Sequence, residues 1–237
     1  MQKVSVLVVH GSYSEIYAKE FHRLVQRVRA RLEHLVIGAY LECTDISLTE
    51  VIANVVIKHQ SDQPLSVQIL PLFLSPGVHV QEDIPEAIAP LTEQFPEVSI
   101  KVHEYLGAKG RLADCLDNQF KRHPEAKRIL VAHGSRRAGA NPVIESLGQS
   151  LNAKVAYWAT EPSLQESIAV ITKEDSAASK ICVVPYFLFP GKIPEVIVSQ
   201  IKELKLDYAR FEFYLGEPFG TQADCATVIA QILALPK

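Results

Sequence analysis

Along the chain, unbroken apolar runs alternate with apolar residues spaced three and four apart, a pattern that predicts strands followed by helices. Residues 4 to 9, VSVLVV, are β-branched and almost wholly apolar, as a strand covered on both faces is, and they end at His10-Gly11-Ser12. Phe21, Leu24, Val25, Val28 and Leu32 then share one face of a helix. Val36 to Glu42 reads as a second strand. Leu48 to His59 reads as a second helix with Val51, Ile52, Val55 and Val56 inward, capped by Ser47 or Asp45. A third strand runs through Val67, Ile69, Leu70, Leu72, Phe73 and Leu74 into a loop carrying His79. The next helix covers residues 84 to 95, with Asp83 placed as its cap and Pro85 in its first turn. A fourth strand at Val98 to Leu106 and a helix from about Ala108 to Phe120 complete four strand-helix units. That order implies a parallel sheet with right-handed crossovers.

The pattern then begins again. ILVAHGS at 129 to 135 repeats VLVVHGS at 6 to 12, AYWATEPSLQESI at 156 to 168 answers AYLECTDISLTEVI at 39 to 52, and PYFLFPG at 185 to 191 answers PLFLSPG at 71 to 77. IPEVI at 193 matches IPEAI at 84, YLG at 214 matches YLG at 105, and ADC at 223 matches ADC at 113. Matched blocks in one order signal an internal duplication. The fold class is therefore α/β, with two tandem units of four parallel strands flanked by helices. Residues 1–122 form the first repeat and 123–237 the second, with KRHPEAK at 121 to 127 as linker.

Composition narrows the classes of function. A net charge of −3 argues against a nucleic-acid partner or a membrane surface, each of which calls for a basic face. No apolar run reaches the roughly 18 residues that a membrane span needs, and MQKVSVLVVH is too soon interrupted for a secretory signal, so a cytoplasmic protein is expected. Cys43, Cys115, Cys182 and Cys225 form no C-x-x-C pair or zinc spacing and read as reduced thiols.

The two repeats differ where open α/β sheets place their ligands, at the carboxyl ends of the strands. Six residues separate Gly77 from Ile84, whereas Lys192 alone separates Gly191 from Ile193, so the second repeat lacks a counterpart of His79. Setting AYLE against AYWA puts Ala159 opposite Glu42. His10, Glu42 and His79 each end a strand of the first repeat; with strand order 2-1-3-4 those strands are neighbours about 4.8 Å apart, and the side chains converge. Two imidazoles and a carboxylate suit a divalent first-row metal. His133 keeps the His10 position in the second repeat. Arg136 and Arg137, just beyond it, could clamp substrate carboxylates or serve as a solvated face.

The HGS after the first strand, the YLE with its following SL, and P-x-F-L-x-x-G-x-H with DIPE four residues on resemble the class II sirohydrochlorin chelatases of the CbiX and SirB type, in their long two-domain form. The resemblance covers nearly the whole chain and is most specific around His79. It implies flavodoxin-like units paired about a cleft that takes sirohydrochlorin, here in a monomer with internal pseudo-twofold symmetry. The implied activity is that of a lyase inserting Co²⁺ or Fe²⁺ for cobalamin or siroheme synthesis. The metal is a substrate, and no organic cofactor is expected. His10 and His79 fall on the metal-handling histidines and Glu42 on the nearby carboxylate, all three catalytic. The second repeat, altered at Lys192 and Ala159, is then the other wall of the cleft, with Ser12, His133, Arg136 and Arg137 as substrate-binding residues. The alternative is a non-catalytic metal or tetrapyrrole carrier of the same fold. A hydrolase using the HGS turn is the weakest reading, since no G-x-S-x-G elbow supplies a nucleophile.

Overall fold

The computed structural model of the chain describes residues 2–59, 63–136, 140–174 and 179–234. The first four strands are β1 (Gln2–Val9), β2 (Leu35–Tyr40), β3 (Leu65–Pro71) and β4 (Ser99–Val102), with α1 (Glu15–Arg29), α2 (Leu48–His59) and α3 (Ile84–Gln94) between them. They form one parallel sheet in the order β2-β1-β3-β4. Register pairs Val9 with Tyr40 on one side of β1 and Val8 with Pro71 on the other. The carboxyl ends of β2, β1 and β3 therefore lie side by side, as the strand order 2-1-3-4 considered above requires. After α4 (Ala113–Phe120) the second set follows: β5 (Lys127–Ala132), α5 (Ala140–Ser150), β6 (Lys154–Tyr157), α6 (Leu164–Glu174), β7 (Lys180–Pro185), α7 (Lys192–Asp207), β8 (Glu212–Leu215) and α8 (Ala223–Ala234). Their parallel sheet has the same order, β6-β5-β7-β8.

The apolar runs become the cores. Val4, Val6 and Val8 on β1, Val67 and Ile69 on β3, Ile52 and Val56 on α2, and Ile84 and Leu91 on α3 pack together with essentially no exposure. Each such side chain contributes on the order of 1.5–3 kcal/mol by leaving water. Ile129, Val131, Ile168, Ile181, Val183 and Ile197 repeat the arrangement in the second sheet. The polar exception on β1, buried Ser5, is satisfied by a hydrogen bond with His34 Nε2 at 2.8 Å; burial, then Lys3, lowers the His34 pKa, leaving that nitrogen free to accept. Reciprocal capping boxes start α2 and α6. Ser47 and Ser163 each accept from the amide of the glutamate three residues on, and Glu50 and Glu166 accept from the serine amides.

Three expectations change. The fourth strand, foreseen over Val98 to Leu106, is confined to Ser99–Val102. The helix foreseen from Ala108 to Phe120 is broken, because Lys109 (φ 56°) and Gly110 (φ 65°) adopt left-handed backbone, and α4 starts only at Ala113. The helix foreseen from residue 84 is entered earlier, through a wide turn at His79–Asp83 in which Ile84 N–H donates to His79 O, five residues back. Asp83 is consequently already helical and makes no capping hydrogen bond.

By compactness the chain divides into residues up to Lys109 together with those from Ala223 onward, and Gly110–Gln222. The division at 122/123 is one of duplicated sequence. In space, α4 packs beside β7 and α8 beside α1, so compact boundaries fall at 109/110 and 222/223. Lys3 Nζ donates to Leu233 O at 2.5 Å, and Arg31 donates to Thr227 Oγ1, both fastening α8 to the first unit. The four cysteines form no disulfide; three are buried and Cys43 is exposed. Among the described residues no helix is long and apolar enough to cross a membrane.

Candidate metal centre at the strand ends of the first unit

His10 is the residue after β1, and Gly11 turns the chain with φ +109°. Glu42 N–H donates to His10 O at 2.7 Å, which draws the end of β2 against this turn. A Cβ on Gly11 would lie 2.0 Å from Glu42 O, so the position tolerates only hydrogen there. Beyond the turn, Ser14 caps α1 by accepting from Tyr17 N–H at 3.4 Å. Tyr17 is tied back to the Gly11 backbone; burial pushes its phenol up to about 12, so it stays neutral. His79 comes from the other side, at the head of the wide turn after β3, with Phe73 beside its ring (centroids 5.7 Å apart).

Among the described residues, His10, Glu42 and His79 are the one group of three histidine, cysteine or carboxylate side chains able to share an ion, each offering a ligand atom within 4.8 Å of the others. The imidazoles meet edge to face, centroids 4.5 Å apart. Glu42 Oε2 is 3.7 Å from His10 Nε2, and Glu42 Oε1 is 4.0 Å from His79 Nδ1. Metal-to-nitrogen bonds of 2.0–2.1 Å would bring donors to roughly 3–3.4 Å from one another. With His10 Nε2 and Glu42 Oε2 at 3.7 Å, the group is slightly open and need only close around an ion. Side-chain exposures of 46% for His10, 50% for Glu42 and 26% for His79 leave the ion a path in and out.

The sequence reading missed Asp83 as a partner of this group. Its Oδ2 lies 2.6 Å from His79 Nδ1, where a cap for α3 was expected. The signal was the H-x-x-x-D spacing, which puts the two residues on one side of a helical turn once that turn is known to start at 79.

The second unit keeps the backbone of the site and the His10 counterpart, His133, without counterparts of Glu42 and His79. Ala159 N–H donates to His133 O at 2.8 Å, the counterpart of the Glu42 bond, which confirms the pairing of Ala159 with Glu42. His133 Nδ1–H donates to Gly134 O at 2.8 Å, and its ring leans on half-exposed Trp158, centroids 5.4 Å apart. α7 starts at Lys192 directly after Gly191, so no wide turn is present there. Ser12 Oγ accepts from Ser14 N–H at 3.1 Å, and Arg136 is exposed. Arg137 lies outside the described residues. A cavity of about 970 Å³ in this unit opens by Lys127 and Lys154, the amino ends of β5 and β6, the opposite end from His133. Of the charged residues lining it, Lys154 pairs with Glu174, Arg128 with Asp117 and Glu125 with Lys180.

A family model, CbiX, matches residues 4–123 and again 127–234. The sirohydrochlorin ferrochelatase of Priestia megaterium is 27% identical over 165 residues, 63% of this chain and 61% of that protein. The match therefore spans less than two thirds of that relative's length. The sirohydrochlorin cobaltochelatase of the same organism is 26% identical over 211 residues, 83% of this chain and 68% of the relative. Among solved structures, SirB from Bacillus subtilis with Fe³⁺ superposes with a TM-score of 0.82 at 19% identity, covering 98% of this chain and 94% of that one.

Proposed function

The chain belongs to the CbiX family, and on that footing we propose that it is a chelatase of the lyase class, inserting Co²⁺ or Fe²⁺ into sirohydrochlorin. The observation that carries this reading is the meeting of His10, Glu42 and His79 at three neighbouring strand ends, in the repeat that retains the His79 segment. Insertion requires a hydrated ion to shed water while two pyrrole N–H protons leave, one metal ion entering for two protons released. Neutral imidazoles of His10 and His79 present the ion, and the Glu42 carboxylate balances its charge and takes up a departing proton. A closed four-ligand cage would hold the ion too firmly to hand it over. An exposed set of three donors, slightly too far apart, suits transfer. The two relatives named above are a ferrochelatase and a cobaltochelatase, and the donor set serves both ions.

Arg136, exposed beyond the second HGS turn, offers a bidentate guanidinium to the carboxylates of the tetrapyrrole, a role in which arginine exceeds lysine. The test is the absorbance change of sirohydrochlorin mixed with Co²⁺ or Fe²⁺ and catalytic amounts of protein. Many turnovers per protein are expected. Stoichiometric binding of the macrocycle without insertion would replace the chelatase by a carrier.

A further inference from the structure

We propose that Asp83 is a positioning residue for His79: its carboxylate holds the imidazole in the tautomer whose lone pair sits on Nε2, and so selects the nitrogen that takes the ion. This rests on the reading of His10, Glu42 and His79 as a metal site. An ionised carboxylate only accepts, so at 2.6 Å the hydrogen lies on His79 Nδ1 and the lone pair on Nε2. His10 is arranged alike, since its Nδ1 faces Gly11 O at 3.3 Å and a carbonyl also only accepts. Both rings then offer Nε2. His79, however, leans on an anion, a stronger partner than a carbonyl. With Glu42, Asp83 supplies the second of two negative charges, which together match a divalent ion.

Three further observations agree. Asp83 makes no hydrogen bond to the start of α3, so its carboxylate is not occupied in capping. The wide turn that places it one turn below His79 is a form of helix found often at functional sites. In the second repeat the residue before Ile-Pro-Glu is Lys192, so the carboxylate and the histidine it serves are missing together.

One alternative arrangement predicts the opposite sign. Nδ1 is also the His79 nitrogen 4.0 Å from Glu42 Oε1. If the ion took Nδ1, Asp83 would compete with it, and removing Asp83 would tighten binding. The experiment is calorimetric titration of the metal-free protein with Co²⁺ alone at one fixed pH, for wild type, Asp83→Ala and Asp83→Asn. It is accompanied by long-range ¹H–¹⁵N NMR of the His79 ring. Asp83→Ala should bind Co²⁺ about 10–100-fold more weakly, the range for loss of such a partner, with His79 shifting toward the Nε2–H tautomer. Asp83→Asn, whose amide oxygen still accepts from Nδ1–H, should keep the tautomer and lose less affinity. It also carries the test if the alanine variant folds poorly. Co²⁺ affinity in Asp83→Ala that stays within twofold or rises, or an unchanged Nδ1–H tautomer, overturns the proposal. Neither readout uses sirohydrochlorin. A wild-type protein that fails to insert metal would remove the proposed function and leave this inference intact, and unchanged Co²⁺ affinity would do the reverse.

Discussion

Gly11→Ala tests how the site is held open by backbone rather than by side chains. The added Cβ would lie 2.0 Å from Glu42 O, whereas ordinary contact begins at 3.4 Å, so the two strand ends must part by at least 3.4 − 2.0 = 1.4 Å. The variant must also hold φ near +109°, a strain of about 1–3 kcal/mol for a residue with a side chain. Catalytic constellations tolerate about 0.5 Å of misplacement, and about 1 Å can cost 10²-fold. Gly11→Ala should therefore lower Co²⁺ affinity and insertion rate by about 10²-fold, beyond what its loss of stability explains. Gly134→Ala is the matched control: φ is +79°, and its Cβ would lie 2.5 Å from Thr160 Oγ1. Both variants should unfold at lower urea, but only Gly11→Ala should lose Co²⁺ in calorimetric titration. Co²⁺ affinity within twofold of wild type in Gly11→Ala would refute the reasoning, as would equal losses in the two variants.

His79→Ala should cut insertion by at least ~10²-fold while His133→Ala keeps most activity, since among the described residues the second imidazole joins no group of histidine and carboxylate side chains; steady-state rates decide, and equal losses would mean that both repeats share the chemistry. Asp117 is held below the ordinary carboxylate range by its hydrogen bond with Lys121 first and with Arg128 second. Its contribution to stability is complete above the ordinary value of ~3.9 and is lost as pH falls through the lower folded value. Urea midpoints measured from pH 5 downward should then fall less steeply for Asp117→Asn than for wild type, and parallel curves would count against the pair. Phe120→Ala empties a fully buried site under the Arg128 guanidinium and should cost about 3–5 kcal/mol in urea unfolding, with loss below 1 kcal/mol indicating a core that collapses freely.

The parts of the fold legible in sequence are those set by local periodicity. The pattern of α2 gives both its ends, Leu48 and His59, because Ser47 caps it and its apolar face is unambiguous. The convergence of His10, Glu42 and His79 was readable because each follows a buried strand and the topology makes those strands neighbours. Asp83 was not, because Asp followed by Ile-Pro-Glu carries every signal of a helix start, and only the wide turn reveals that the helix is already under way. Lys109 was read through as helix, since nothing in a lysine announces positive φ. Nor could sequence say which sheet α4 and α8 cover. Both begin Ala-Asp-Cys and present similar apolar faces, so neither segment by itself distinguishes the two sheets.

The placement of α8 has a consequence for synthesis. When the ribosome has made residue 222, every segment of the second compact unit exists, whereas the first still lacks the helix that packs on α1 and receives Lys3. The unit that carries His10, Glu42 and His79 starts first and is completed last. Its nascent form leaves a face of α1 uncovered throughout the translation of Gly110–Gln222, a span in which chaperones have apolar surface to recognise. A released chain ending at Gln222 should therefore show a protease-resistant second unit and a first unit still open to cleavage.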